Sequence, residues 1–349
     1  MEPIVDERFE MMLDWLKKQP LLAGCDMSHP VPASSDASFR RYFRVFANSE
    51  ETGETSFIVM DAPVEHEDCR PFIAVSDQLN KMGLQVPKVL AQNLVQGYLL
   101  LTDLGTTTYL SALEGANEVE ADRLYQDALS ALVRLQKKGQ SAAQKLPAYN
   151  QTLLETEMNL FPEWLIGTHL NVSLDRVEKH DWQNVQQLLQ RSALAQPLTY
   201  VHRDYHSRNL MVTSKDNPGI LDFQDAVHGA LTYDAVSLLR DCYISWPQEQ
   251  VSEWQRSYFL QLCEAKLVSK DEWQAFQKSM DWMGIQRHLK ASGIFCRLAH
   301  RDGKDSYLND IPLTLDYLVQ VGSLYPEMID LVRLLENKIL PKLAGFSNQ

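Results

Sequence analysis

Apolar residues recur at helical spacing near the start of the chain. Phe9, Met12, Leu13 and Leu16 fall at i, i+3, i+4 and i+7 and predict one helix, which Pro20 ends. From Phe39 the pattern changes to alternation. Phe39, Arg41, Phe43 and Val45 share one face of a strand, and Arg40, Tyr42, Arg44 and Phe46 share the other. The turn Glu51-Thr52-Gly53-Glu54 and a partner strand at 56–60 complete a hairpin. Phe72, Val75, Leu79 and Met82 form a stripe that predicts a helix over 71–82, with Gly83 as its stop. Strands at 88–93 and 98–102 follow, joined through Gln96-Gly97. This first part is a small antiparallel sheet with helical cover.

After Gly105 the pattern is helical. Helices are predicted over 118–138, 155–168 and 176–191, with 141–150 as a loop, and 248–345 reads as helical throughout. Between them lies a short run of strands: 198–201, then 210–212, the turn Asn217-Pro218-Gly219, and Ile220-Leu221. The fold class is α+β in two lobes, an N-lobe over 1–104 and a larger, mostly helical C-lobe over 105–349.

The strand run carries the chemistry. His202, Asp204 and Asn209 stand as H-x-D-x-x-x-x-N, and the hairpin that follows delivers Asp222. Phosphoryl transfer needs one carboxylate to orient a hydroxyl and accept its proton, and oxygen ligands to hold Mg²⁺ on nucleotide phosphates. Asp204 fits the first role; Asn209 and Asp222 fit the second. His202, Asp204 and His206 also read H-x-D-x-H, half of a metallohydrolase site, but that reading leaves Asn209, the hairpin and Asp222 unexplained. Upstream, the small residues Ser34-Ser35-Asp36-Ala37-Ser38 precede the first hairpin strand, where a kinase covers the phosphates with a flexible loop. Ser35 and Ser38 are the expected phosphate-side contacts, although the run has no glycine.

Here the sequence resembles the aminoglycoside phosphotransferase/choline kinase superfamily, whose loop is H-x-D-x-x-x-x-N followed by an I-D-[FW] strand. The strings VHRDYHSRNLMV, LDFQDAV, TYDAVSLLRDCYISWP, QRHLKASGIFCRLAHRDGK and SSDASFRRYFRV further resemble the anomeric N-acetylmuramate/N-acetylglucosamine kinases of bacterial cell-wall recycling. The resemblance covers nearly the whole chain. It implies a bilobal protein-kinase-like fold, ATP and Mg²⁺ as cofactors, and a small amino sugar as acceptor. It places the adenine against the main chain of Thr102, Asp103 and Leu104. It also implies that Asp234 braces the catalytic loop beside His202; from the sequence alone, Asp234 could equally cap its own helix. One departure stands out. The strand that ends in a phosphate-binding lysine or arginine in this fold ends here in Met60-Asp61-Ala62. Arg40, Arg41 and Arg44 are the nearest replacement cations; the alternative is a nucleotide-binding pseudokinase with a regulatory role. Choline, homoserine or an aminoglycoside are alternative acceptors.

On the acceptor side, Arg287, Lys290, Arg297 and Arg301 fall within about an 80° arc of one helix. Such a stripe can receive a carboxylate or phosphate, or simply be a solvated face, and Gly293 leaves the helix's continuity open. Arg208, Gln224 and Asp225, next to the catalytic and metal residues, are further acceptor candidates.

Composition narrows the partners. The 349 residues carry a formal net charge of −13, which argues against nucleic acid or an anionic membrane as partner. Cys25, Cys69, Cys242, Cys263 and Cys296 are scattered and odd in number, as suits a reducing cytosol. No apolar run approaches the ~18 residues of a membrane span, and the acidic start MEPIVDERFE has no signal-peptide core. A cytoplasmic location is expected; the pattern says nothing of oligomeric state.

Overall fold

The computed structural model describes residues 6–22, 30–35, 39–49 and 53–346. The chain divides into two compact units, one of Met1–Thr107 with Met211–Gln224 and one of Thr108–Leu210 with Asp225–Gln349. The sequence division falls at 104/105; in the structure the segment 211–224, with Asp222, groups with the first unit. Non-local contacts explain this. Gln85 and Gly219 form a parallel bridge, the Ile220 N–H donates to the Gln85 carbonyl at 2.7 Å, and Phe223 packs on Phe72 with ring centroids 4.9 Å apart.

In the first unit, five strands pair antiparallel in the order β1-β2-β3-β5-β4: β1 Val31–Ser35, β2 Arg41–Ser49, β3 Gly53–Asp61, β4 Val89–Asn93 and β5 Tyr98–Thr102. The helix Glu7–Leu16 lays the predicted stripe on this sheet. Met12 and Leu16 are buried against Val45, Val59, Tyr98 and Leu100, with Phe9 and Phe43 at the edge. Phe39 does not share that face. It precedes the strand, is 62% exposed and stacks on His66. The helix Cys69–Lys81 starts earlier than 71 because the Asp68 side chain caps it. Ser38, with 36–37 and the turn residues 51–52, lies outside the described residues, as do the side chains of Ser34 and Ser35.

The second unit is mostly helical. The helix Glu118–Lys138 has the predicted bounds, capped by Asn117. The expected loop at 141–150 contains a helical turn, Gln140–Ala143. The expected helix at 155–168 is instead Gln151–Leu160 followed by a wider π-helical stretch, Phe161–His169. The C-terminal run is not one helix. Separate segments include Gln248–Glu264, Trp273–Asp302 and Ile311–Gly322, and Gly303, at φ 67°, closes the longest of them. Gly293 does not interrupt that helix. It lets it touch the junction at Leu160, where a Cβ would stand 2.3 Å from the Leu160 carbonyl carbon. Among the described residues no helix is long and apolar enough to cross a membrane.

Gly293→Val should therefore force two backbones apart and cost about 1–3 kcal/mol, the range for overpacking. The melting temperature should fall by several degrees. An unchanged value would show that this approach is not close.

Candidate active site

The strand Leu198–Val201 pairs with Val227–Ala230 and delivers His202, fully buried, at its end. The loop beyond it is held by two buried carboxylates. Asp234 accepts the His202 N–H at 2.7 Å and the Arg203 N–H at 2.9 Å, and makes no side-chain cap on its own helix, Tyr233–Leu239. Burial pushes the Asp234 carboxyl up to about 7 against the pull of those two donors. Arg203 has φ 80°, a left-handed conformation that costs a non-glycine residue about 1–3 kcal/mol. Its guanidinium meets the second carboxylate, Glu157, at 2.6 Å.

Glu157 lies on the buried face of Gln151–Leu160 with Leu154 and Met158. Lys290 reaches it at 2.9 Å, the Tyr149 hydroxyl donates to it, and Gln286 approaches at 3.4 Å. Burial alone would raise its pKa; Lys290 and then Arg203 outweigh that and hold it below the usual range.

Asp204 follows, half-buried. Burial pushes its carboxyl up, but Lys290 foremost, with His206, His202 and Arg287, brings it below its ordinary value, so it is ionised at neutral pH. The Asp204 carbonyl accepts from the Asn209 side-chain amide at 3.0 Å and from the His206 N–H at 3.1 Å, closing the loop on itself. Asp241 supports the next turn by accepting the Ser207 N–H at 2.8 Å. A pocket of about 100 Å³ opens here, with Asp204, His206, Asp241, Arg287, Lys290 and Phe295 in its wall. Burial first, then Arg287 and Arg208, lowers the His206 pKa despite the nearby Asp241 and Asp204, so its ring is neutral at pH 7.

The basic stripe divides. Arg287 and Lys290 are buried at this pocket, whereas Arg301 is exposed and paired with Asp302. Neither Arg297 nor Arg301 is in the pocket wall. Arg208 stacks on Tyr243, 3.6 Å from the ring centroid, and reaches Asp310 at 3.8 Å; Asp225 is exposed.

In the first unit, Asp222 has φ 58° and accepts from Gln224 at 2.6 Å. The candidate phosphate cations are all paired. Arg40 meets Glu67 at 2.8 Å, Arg44 meets Asp103 at 2.5 Å, and Arg41 meets both Asp61 and Asp6. Asp61 stands directly opposite Arg41 in the β2–β3 register, is fully buried, and also takes Arg8 at 2.7 Å. The strand end that lacks a cation thus holds an acid between two arginines. At the expected hinge, the Thr102 hydroxyl accepts the Lys88 N–H at 2.9 Å, the Asp103 carboxylate is engaged by Arg44 and Ser56, and Leu104 is buried.

Among the described residues no cluster of three His, Cys, Asp or Glu could hold a metal ion. Taken singly, Asn209 offers an amide oxygen and Asp222 a carboxylate, each a hard-oxygen donor of the kind Mg²⁺ takes.

Comparison with known proteins decides the family. Residues 29–308 match the phosphotransferase enzyme family. The chain belongs to this family. A Pseudomonas aeruginosa relative called N-acetylmuramate/N-acetylglucosamine kinase is 46% identical over 305 residues, 87% of each chain. Relatives of the same name from Pseudomonas putida and Neisseria meningitidis are 47% and 40% identical and cover 87% of this chain, and 86% and 88% of their own. Choline kinase from Streptococcus pneumoniae superposes with TM-score 0.58 at 10% identity, covering 90% of this chain and 99% of its own. An ADP-bound aminoglycoside phosphotransferase gives 0.54 at 13%, covering 91% and 99%. These phosphotransferases share the α+β, bilobal protein-kinase-like fold.

Glu157, Tyr149 and Asp241 escape the sequence reading. The available signal for Glu157 is an acid within an apolar stripe, Leu154, Glu157, Met158 and Phe161, at i, i+3, i+4 and i+7.

Because the Glu157 pKa is lowered on folding, its stabilisation is present above the unfolded value near 4.5 and is lost as pH falls through the folded value. Glu157→Gln should lower the melting temperature at pH 7 and flatten its decline on acidification below 4.5. Parallel curves for the two proteins would show that Glu157 does not carry this linkage.

Proposed function

We propose that this phosphotransferase moves the γ-phosphoryl group of ATP to the anomeric hydroxyl of N-acetylmuramate or N-acetylglucosamine, in bacterial cell-wall recycling in the cytoplasm. The observation that carries the reading is Asp204: an ionised carboxylate at the mouth of a pocket whose wall holds two buried cations, in a chain whose 40–47% identical relatives bear that name.

The acceptor hydroxyl donates its hydrogen bond to Asp204, which orients the oxygen lone pair and takes the proton as the bond to phosphorus forms. The bond from the γ-phosphorus to the bridging oxygen breaks, and ADP leaves. Asn209 and Asp222 are the residues that would hold Mg²⁺, which would neutralise charge on the nucleotide phosphates. Thr102, Asp103 and Leu104 would offer main chain to the adenine; Ser35 and Ser38 are the phosphate-side residues expected from the sequence. Arg40, Arg41 or Arg44 would contact phosphate only by exchanging a carboxylate partner for it.

The test is transfer of label from γ-labelled ATP to a panel of N-acetylmuramate, N-acetylglucosamine, choline, homoserine and an aminoglycoside. Label on the two amino sugars alone is expected; label on another acceptor reassigns the substrate, and nucleotide binding without transfer would make the chain a pseudokinase. Asp204→Asn should keep nucleotide affinity and lower turnover by about 10²–10⁴; near-normal turnover would remove Asp204 as the base. Asn209→Ala and Asp222→Ala should each raise the Mg²⁺ concentration needed for half-maximal activity. Unchanged titrations in both would place the metal elsewhere.

A further inference from the structure

The pocket beside Asp204 contains one charge that the proposed proton transfer does not use. Arg287 lies on the helix Trp273–Asp302, 8% exposed, and lines the pocket. Burying a cation is costly unless an anion or hydrogen bonds compensate it. The neighbouring buried cations are compensated: Lys290 by Glu157 at 2.9 Å, Arg203 by Glu157 at 2.6 Å, Arg240 by Asp281 at 2.5 Å. Arg287 has no carboxylate within ion-pairing distance among the described residues. Its guanidinium lies over the Tyr233 ring, 5.2 Å from the centroid. Its Nε is buried without a hydrogen-bond partner. Two more buried polar atoms of the same pocket wall, His206 Nδ1 and Ser237 Oγ, are also unpartnered.

The anions within reach are committed elsewhere. Asp241 accepts the Ser207 and Tyr243 N–H groups, at 2.8 and 3.1 Å. Asp204 is the base and needs its oxygens for the acceptor hydroxyl. A planar guanidinium held on a ring face in a pocket wall, with no ion pair among the described residues, can receive a carboxylate. The two proposed acceptors differ in this one group: N-acetylmuramate bears a lactyl ether whose carboxylate N-acetylglucosamine lacks.

We propose that Arg287 binds the carboxylate of an acidic amino-sugar acceptor and so sets how strongly the enzyme prefers it to the neutral one. This rests on the amino-sugar reading above. Arg287 contributes charge-assisted hydrogen bonds to the acidic acceptor and nothing comparable to the neutral one. Lys290, whose charge is spent on Glu157, contributes little to that difference.

The experiment crosses enzyme with acceptor. kcat/KM is measured for wild type, Arg287→Gln and Arg287→Lys with three acceptors: N-acetylmuramate, its carboxamide, and N-acetylglucosamine. In wild type, the carboxamide should be about 10- to 100-fold poorer than the acid, the range for a charge-assisted hydrogen bond. In Arg287→Gln the acid should lose about 10-fold or more relative to N-acetylglucosamine, and the acid–carboxamide gap should close. Arg287→Lys should fall between, because it keeps charge but not the bidentate fork. Equal losses on all three acceptors would overturn the proposal and place Arg287 in structure or in phosphoryl transfer. A wild type that uses carboxamide and acid equally would overturn it without recourse to any variant. Failure of the amino-sugar reading itself looks different, since wild type would then phosphorylate none of the three.

Discussion

The loop that carries Asp204 depends on two buried carboxylates that fix one strained residue. Arg203 holds a left-handed backbone at φ 80° because Asp234 binds its N–H and that of His202, while Glu157 binds its guanidinium. The backbone conformation costs about 1–3 kcal/mol. Charge-assisted hydrogen bonds in a buried setting can offset that. What they secure is position: the residue after Arg203 is Asp204, and its oxygens are set by how the chain leaves that turn. Lys290 ties the same carboxylate cluster to the long helix, so loop, Gln151–Leu160 and Trp273–Asp302 share one charge network.

Charge is distributed differently in the two units. In the first, arginines at the sheet meet carboxylates one for one: Arg40 with Glu67, Arg44 with Asp103, Arg41 and Arg8 with Asp61 and Asp6. In the second, Lys290 and Arg203 converge on Glu157, and Arg287 lines the pocket with no ion pair among the described residues. The pocket wall sets the acids Asp204 and Asp241 beside the cations Arg287 and Lys290.

Much of this was legible from the sequence where the signal is local. The stripe Phe9, Met12, Leu13, Leu16 and the alternation through Phe43 and Val45 fix one helix and one strand face, because burial on one side requires those periods. The spacing of Asp204 and Asn209 is local too, since one turn carries both. What escaped depends on distant pairing. The segment 211–224 joins the first unit through Gln85 and Phe72, which no window around residue 220 contains. Arg41 reads as a spare cation until the register sets Asp61 opposite it. Glu157 looks like any helical acid until Arg203 and Lys290, both far along the chain, arrive at it.

The clamp on Arg203 is open to direct observation by site-resolved amide hydrogen exchange. The His202 and Arg203 N–H groups should be strongly protected in the wild type, and Asp234→Ala should release both while leaving the neighbouring strand amides at Thr199 and Val201 protected. Fast exchange at 202 and 203 in the wild type, or protection that survives loss of the Asp234 carboxylate, would contradict the claim that this buried acid holds the loop that carries Asp204.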